Sequence, residues 1–252
     1  MAVAQSQSTH SKVHVAREAP LLRGYSRYSP SHRYVELLSQ YEQLHREGER
    51  RLNLPAQETF PGVSLLPHVQ RIKARIDQSG ARSVLDYGCG KGLQYTAIFQ
   101  AEDDPNDMFT ITGLWGLEQL YCYDPCYAPF SRLPNGRFDG VICTDVLEHC
   151  SEADMAWIVD ELFSYATAFL YANIACYPAG KTLPNGENAH CTIQPPEWWR
   201  ELFNETAIRY PWVKWEAWVQ FRESAVDRAI DEMAVGTHGT PAAKELWMGN
   251  WD

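Results

Sequence analysis

Three stretches of this chain hold residues whose types and spacing could do chemistry. The first is Val84-Leu85-Asp86-Tyr87-Gly88-Cys89-Gly90-Lys91-Gly92, an apolar run that ends in an acid and passes through glycines at alternate positions. It reads as strand, tight turn and helix start. Glycine admits positive φ and lets the backbone come close to a ligand, while the free N–H groups of a following helix point toward it. A nucleoside-type cofactor fits such a turn, and so does a purely structural glycine-rich bend. The dinucleotide pattern G-x-G-x-x-G needs its third glycine at position 93, where Leu93 stands, so that pattern is disfavoured. The second and third stretches are Phe138 to His149 and Asn185 to Thr192. They carry His149 and His190, and imidazole is the side chain best suited to move a proton near neutral pH.

Around these stretches, 252 residues suffice for one α/β core with an appended cap but are short for two independent domains. A net charge of −10 offers no basic face to a nucleic-acid backbone or an anionic membrane surface, so neither is an expected partner. No apolar leader follows Met1, and no apolar run approaches membrane-spanning length; a cytoplasmic protein is expected. The seven cysteines contain no C-x-x-C pair matched by a second one. They are expected to be small buried thiols, and no metal site is expected.

The elements that must position the chemistry follow from periodicity. Residues 1–24 are polar and read as a flexible arm. Tyr34, Leu37, Leu38, Tyr41 and Leu44 predict an amphipathic helix over about 32–50, with Ser31 placed to cap it; Leu65, Val69, Ile72 and Ile76 predict a second, closed by Gly80. Together, residues 25–80 make a helical cap and lead-in to a core over 81–235. A helical pattern continues from Gly92 to about Gln100. For the second strand, Phe109–Leu114 competes with Leu120–Asp124. The latter is preferred because the Asp124 carboxylate can accept both ribose hydroxyl protons. Residues 101–118 are then an insertion, and the short segment 125–137 leaves the third strand curtailed or missing. Val141–Cys143 is a buried strand; Ser151 and Asp154 fit a capping box ahead of a helix with the stripe Met155, Ile158, Val159, Leu162 and Ala166. Ala168–Ala175 and Val213–Phe221 read as strands and Pro195-Pro196-Glu197 as a helix start. Val226, Ile230 and Met233 suggest a closing helix, and the tail 236–252 stays unassigned.

With the glycine turn and Phe138-Asp139-Gly140-Val141 followed by Asp145-Val146-Leu147-Glu148-His149 in this order, the chain resembles the class I S-adenosylmethionine-dependent methyltransferases over roughly 65–221. The likeness is closest to a group that acts on small molecules. The resemblance implies a Rossmann-like, doubly wound and mostly parallel sheet with helices on both faces. It implies that Gly88, Cys89, Gly90 and Gly92 line the cofactor, that Asp86 lies near its amino end and that Asp124 holds the ribose. Cys143, Thr144 and Asp145 would pass its methionine portion. His190 is then expected over the acceptor pocket as a general base, with His149 beside the cofactor and Trp198 and Trp199 as pocket walls.

Methyl transfer from a sulfonium is an in-line displacement. Holding the nucleophile against the methyl carbon can supply up to about 7–11 kcal/mol, and a base a further ~10²–10⁴-fold for a hydroxyl acceptor. The expected function is methyl transfer to an O or N nucleophile of a small molecule. A cofactor-binding regulatory protein without turnover stays open as the second reading, and the acidic balance disfavours RNA or protein as the acceptor.

Overall fold

The computed structural model describes residues 24–100, 108–221 and 244–251. All of the expected 1–24 arm but Gly24, and the closing helix expected around Val226, Ile230 and Met233, lie outside the described residues. In chain order the helices are α1 His32–Glu47, α2 Val69–Ser79, α3 Ile111–Trp115, α4 Met155–Tyr165 and α5 Pro196–Ala207. The strands are β1 Ser83–Tyr87, β2 Phe99–Gln100, β3 Met108–Phe109, β4 Gln119–Tyr123, β5 Phe138–Thr144, β6 Ala166–Ala175, β7 Lys214–Phe221 and β8 Lys244–Gly249. Six strands form one sheet in the order β4-β1-β5-β6-β7-β8, and β2 pairs with β3 as a separate hairpin. All neighbours in the large sheet run parallel except β7 and β8, so the fold is α/β with a mostly parallel, Rossmann-like sheet.

The sheet is buried on both faces, which is why its central strands read as continuous apolar runs. Leu85, Val141, Cys143, Leu170 and Ala172 pack toward α4 and α5, whereas Val84, Ile142, Phe169 and Tyr171 pack toward α2 and α3. Alternation along each strand sorts the two sets, as the period of 2 requires. Among the described residues no helix is long and apolar enough to cross a membrane.

Several expectations need correction. No α-helix follows Gly92. A single 3₁₀ turn, Leu93–Tyr95, leads into the small hairpin, and the Tyr95 hydroxyl is drawn back to Asp86 at 2.7 Å. The stretch expected to be an insertion instead contributes α3 to the core. Thr110 caps it by accepting the Gly113 N–H at 3.1 Å, and the buried Trp115 donates to the Val69 carbonyl at 3.0 Å. The Ser151–Asp154 capping box does not form. Asp154 is used elsewhere, accepting the Ser31 N–H (2.9 Å), the Ser31 hydroxyl and the Trp157 indole N–H (2.8 Å). Ser31 in turn caps α1 through the Tyr34 N–H, so one carboxylate fastens the start of α1 to the start of α4. Ala166 opens β6 rather than extending the α4 stripe. Residues 244–249 of the tail form a strand antiparallel to β7, and Trp251 packs near Phe169 under the Arg75 guanidinium.

The choice of Leu120–Asp124 as the second strand agrees with the structure. β4 lies beside β1 in parallel register, with Asp86 paired to Cys122, and Asp124 follows directly. Between β4 and β5 there is only a 3₁₀ turn, Ala128–Phe130, and among the described residues β4 is the sheet's edge.

Candidate functional site

The carboxyl ends of β1, β4 and β5 open into a cavity of about 760 Å³, the edge at which open α/β sheets receive ligands. Asp86 reaches it from β1. It is buried, its Oδ2 accepts from Tyr95 Oη at 2.7 Å and from Gln94 Nε2 at 3.4 Å, and no salt bridge reaches it among the described residues. Burial pushes its pKa up to about 7 against the pull of the Tyr95 hydroxyl, with the neighbouring Asp124 adding to the rise. Gln94 Oε1, also buried, has no hydrogen-bond partner. Asp86 thus keeps acceptor capacity unspent at the cavity, which suits an N–H-rich or cationic ligand group, while the unpartnered Gln94 Oε1 lies on the Gly62 side of the amide that donates to it.

Asp124 holds the glycine turn in shape. Its Oδ2 accepts the Gly90 N–H at 3.0 Å and its Oδ1 the Cys126 N–H at 2.8 Å, and burial raises its pKa. His45 Nε2 stands 3.9 Å from Oδ1, yet His45 is neutral, because burial and then the Lys91 and Lys181 charges lower it to about 3. The turn is also covered from the N-terminal side. The Lys91 N–H donates to the Phe60 carbonyl at 2.8 Å, and its Nζ donates to the Thr59 carbonyl at 2.7 Å and the Thr59 hydroxyl at 2.9 Å.

The opposite part of the cavity carries Asp145, His149 and His190. Asp145 follows β5 with φ +60, an uncommon conformation for a residue other than glycine. His149 lies four residues on, at the end of a 3₁₀ turn, Leu147–His149. Its Nδ1 is 3.0 Å from the Ala189 carbonyl and 2.9 Å from Tyr41 Oη. His190 Nδ1 is 2.6 Å from the Tyr177 carbonyl. A carbonyl only accepts, so Nδ1 bears the proton in both rings and Nε2 is the lone pair. Burial lowers the pKa of both rings, His149 to about 4, and each is neutral near pH 7. Burial opposes ionisation of Asp145, but His149, His190 and Lys181 around it hold its pKa below the usual range. Burial and then Asp145 raise Glu148 well above its ordinary range; Glu148 Oε1 accepts the Ala175 N–H at 2.6 Å, and Oε2 is buried without a partner.

Of the expected site residues, Asp86, Gly88, Cys89, Gly90, Asp124, Thr144, Asp145, His149 and His190 line this one cavity. Gly92, Cys143, Trp198 and Trp199 do not. Gly92 serves the backbone, with φ +65 and the Phe130 ring 2.9 Å from where a Cβ would sit. Cys143 faces the α4 side of the core and is fully buried. Trp199 is buried in that same core, and Trp198 packs on it at a T-shaped angle, because α5 covers the sheet rather than its carboxyl edge. Sequence reasoning passed over Tyr41, His45, Phe60, Gln94 and Lys181, all of which line the cavity. Tyr41 lay on the apolar stripe of α1 and signalled packing only; Gln94 and Lys181 carried no motif.

No family model, curated protein or solved structure matches this chain.

Proposed function

We propose that this chain binds S-adenosylmethionine in the 760 Å³ cavity and transfers its methyl group, by in-line displacement, to an O or N nucleophile of a small molecule. Supporting the reading is one observation above all: a single cavity has the acceptor Asp86, with no salt-bridge partner among the described residues, at one part and two neutral imidazoles at another. Asp86 suits the cofactor's ammonium group. Asp124 is the residue for the ribose hydroxyls, since each of its oxygens has accepted one N–H and retains capacity for a second bond. The neutral His190 Nε2 can take the proton of a hydroxyl acceptor, with His149 beside it at 4.7 Å between ring centroids.

In this reading the sheet is doubly wound, and α1 with residues 59–62 is the cap that excludes water from the transfer. Tyr34, Leu37, Tyr41, His45 and Phe60 are the side chains it contributes. Calorimetric titration with S-adenosylmethionine tests the cofactor half. A screen of small-molecule extracts for products one methyl group heavier, formed only with both chain and cofactor, tests the transfer half. Absence of saturable binding overturns the proposal.

A further inference from the structure

Asp145, His149 and His190 each offer one ligand atom, and these atoms lie within 4.8 Å of one another. From this geometry we infer that the three side chains form a binding site for a divalent first-row transition-metal ion, with open coordination positions facing the cavity. The inference does not depend on the cofactor reading.

The arrangement has what a metal site needs beyond proximity. Histidine ligands are oriented by giving the distal ring N–H to a carbonyl or carboxylate. Both rings here do that, His149 toward Ala189 and His190 toward Tyr177, and no hydrogen bond occupies either Nε2 among the described residues. The two ligand-bearing segments are also tied together. The Cys191 and Thr192 N–H groups donate to the Glu148 carbonyl at 2.9 and 3.0 Å, and the Thr192 hydroxyl donates to the Cys150 carbonyl at 2.7 Å. Tyr41 Oη bonds to the Ala189 carbonyl and meets His149 Nδ1, so α1 supports the same ring. The left-handed backbone at Asp145 is the kind of local strain that persists where a side chain must be aimed.

Two imidazoles and one carboxylate fix the class of ion. Magnesium and calcium take oxygen ligands, whereas imidazole suits zinc, iron, cobalt and nickel. Three protein ligands with room for water or substrate is the pattern of an open site. Metal–ligand bonds of about 2.0–2.2 Å draw cis ligand atoms to roughly 3–3.5 Å apart, which small side-chain rotations provide. In the loaded protein His190 Nε2 is a ligand and no longer a free base. Lys181, a cation lining the same cavity, contends with the ion for Asp145.

The test uses the full chain, stripped of metal with a chelator and free of S-adenosylmethionine. Zn²⁺ is titrated by calorimetry, and Co²⁺ by its visible spectrum. One ion per chain is expected, with the cobalt spectrum of nitrogen and oxygen ligands. Asp145→Asn and His190→Gln should each weaken binding at least ~10-fold, Tyr41→Phe should weaken it by a smaller factor, and Lys181→Met should tighten it. Failure to bind at one equivalent overturns the site. So does a thiolate-to-cobalt charge-transfer band, or unchanged affinity in folded Asp145→Asn and His190→Gln. The wild-type cobalt spectrum carries the test if either variant fails to fold. Because no cofactor is present, a negative result leaves the methyl-transfer reading standing.

Discussion

The Phe60 carbonyl oxygen lies 2.4 Å from the point where a Cβ on Gly90 would sit. Gly90 has φ +59 and Phe60 has φ +49, so both partners of this contact are in the left-handed region. The close approach that only glycine allows is therefore made to the protein's own chain, in the segment that covers the turn. Gly90→Ala should destabilise the fold by about 1–3 kcal/mol in urea denaturation. Gly180→Ala, with nothing within 4 Å of the added Cβ, should change stability by less than about 0.5 kcal/mol.

Asp154 ties α1 to the core through Ser31 and Trp157. Asp154→Ala leaves three buried donors without their acceptor and should cost about 2–4 kcal/mol. Limited proteolysis should cut earliest within α1. A variant as stable as the parent, with α1 still protected, would show that apolar packing alone holds the helix.

His68 is buried, with Nδ1 2.7 Å from Tyr171 Oη, and burial lowers its pKa to about 4. The unfolded chain binds this proton near pH 6.5 and the folded chain only near 4, so the stabilisation is complete above about pH 6.5 and is lost as pH falls to about 4. His68→Gln should flatten the dependence of unfolding free energy on pH in that window by up to about 1.4 kcal/mol per pH unit. An unchanged slope would mean that His68 is protonated in the folded protein.

Asp124 accepts the N–H groups of Gly90 and Cys126. Asp124→Asn removes the charge and sets an NH₂ against one of these two N–H groups, so it should weaken S-adenosylmethionine binding by about 1.5–3 kcal/mol and lower stability. Asp124→Ala should do the same and lower stability further, since the turn then loses both anchors. Equal affinity in parent and Asp124→Asn would move the ribose contact to another residue.

What was legible in the sequence is what repeats or what carries an acid at a strand end. The apolar runs of β1, β5, β6 and β7 follow from burial on both faces, and the preference for Leu120–Asp124 over Phe109–Leu114 rested on Asp124 having a use. Pairings between distant residues were not legible. Asp154 three residues after Ser151 has the spacing of a capping box, yet Ser31, 123 positions away, takes the carboxylate. The resemblance implies Trp198 and Trp199 as pocket walls after the His190 loop, but α5 turns them toward the core. The sequence presents His190 as a base over the acceptor and His149 as a neighbour of the cofactor, in two separate stretches. Their approach to Asp145 depends on the hydrogen bonds joining residues 148–150 to 191–192, which no local pattern encodes.

The central claim is tested most directly at Asp86. Burial holds its pKa up at about 7, so below pH 7 much of the population is protonated. A raised carboxyl pKa favours the folded state below about pH 4 and the benefit is lost as pH rises through 7. A cationic ammonium placed beside it reverses the balance by stabilising the carboxylate. Titrating S-adenosylmethionine calorimetrically at pH 6.5, in two buffers of different ionisation enthalpy, should show one site per chain and the release of up to about one proton on binding. In Asp86→Asn, affinity should fall at least ~10-fold, since a hydrogen bond to a charged group is worth about 1.5–3 kcal/mol, and the proton release should vanish. No saturable binding, or the same affinity and proton count in Asp86→Asn, would contradict the account.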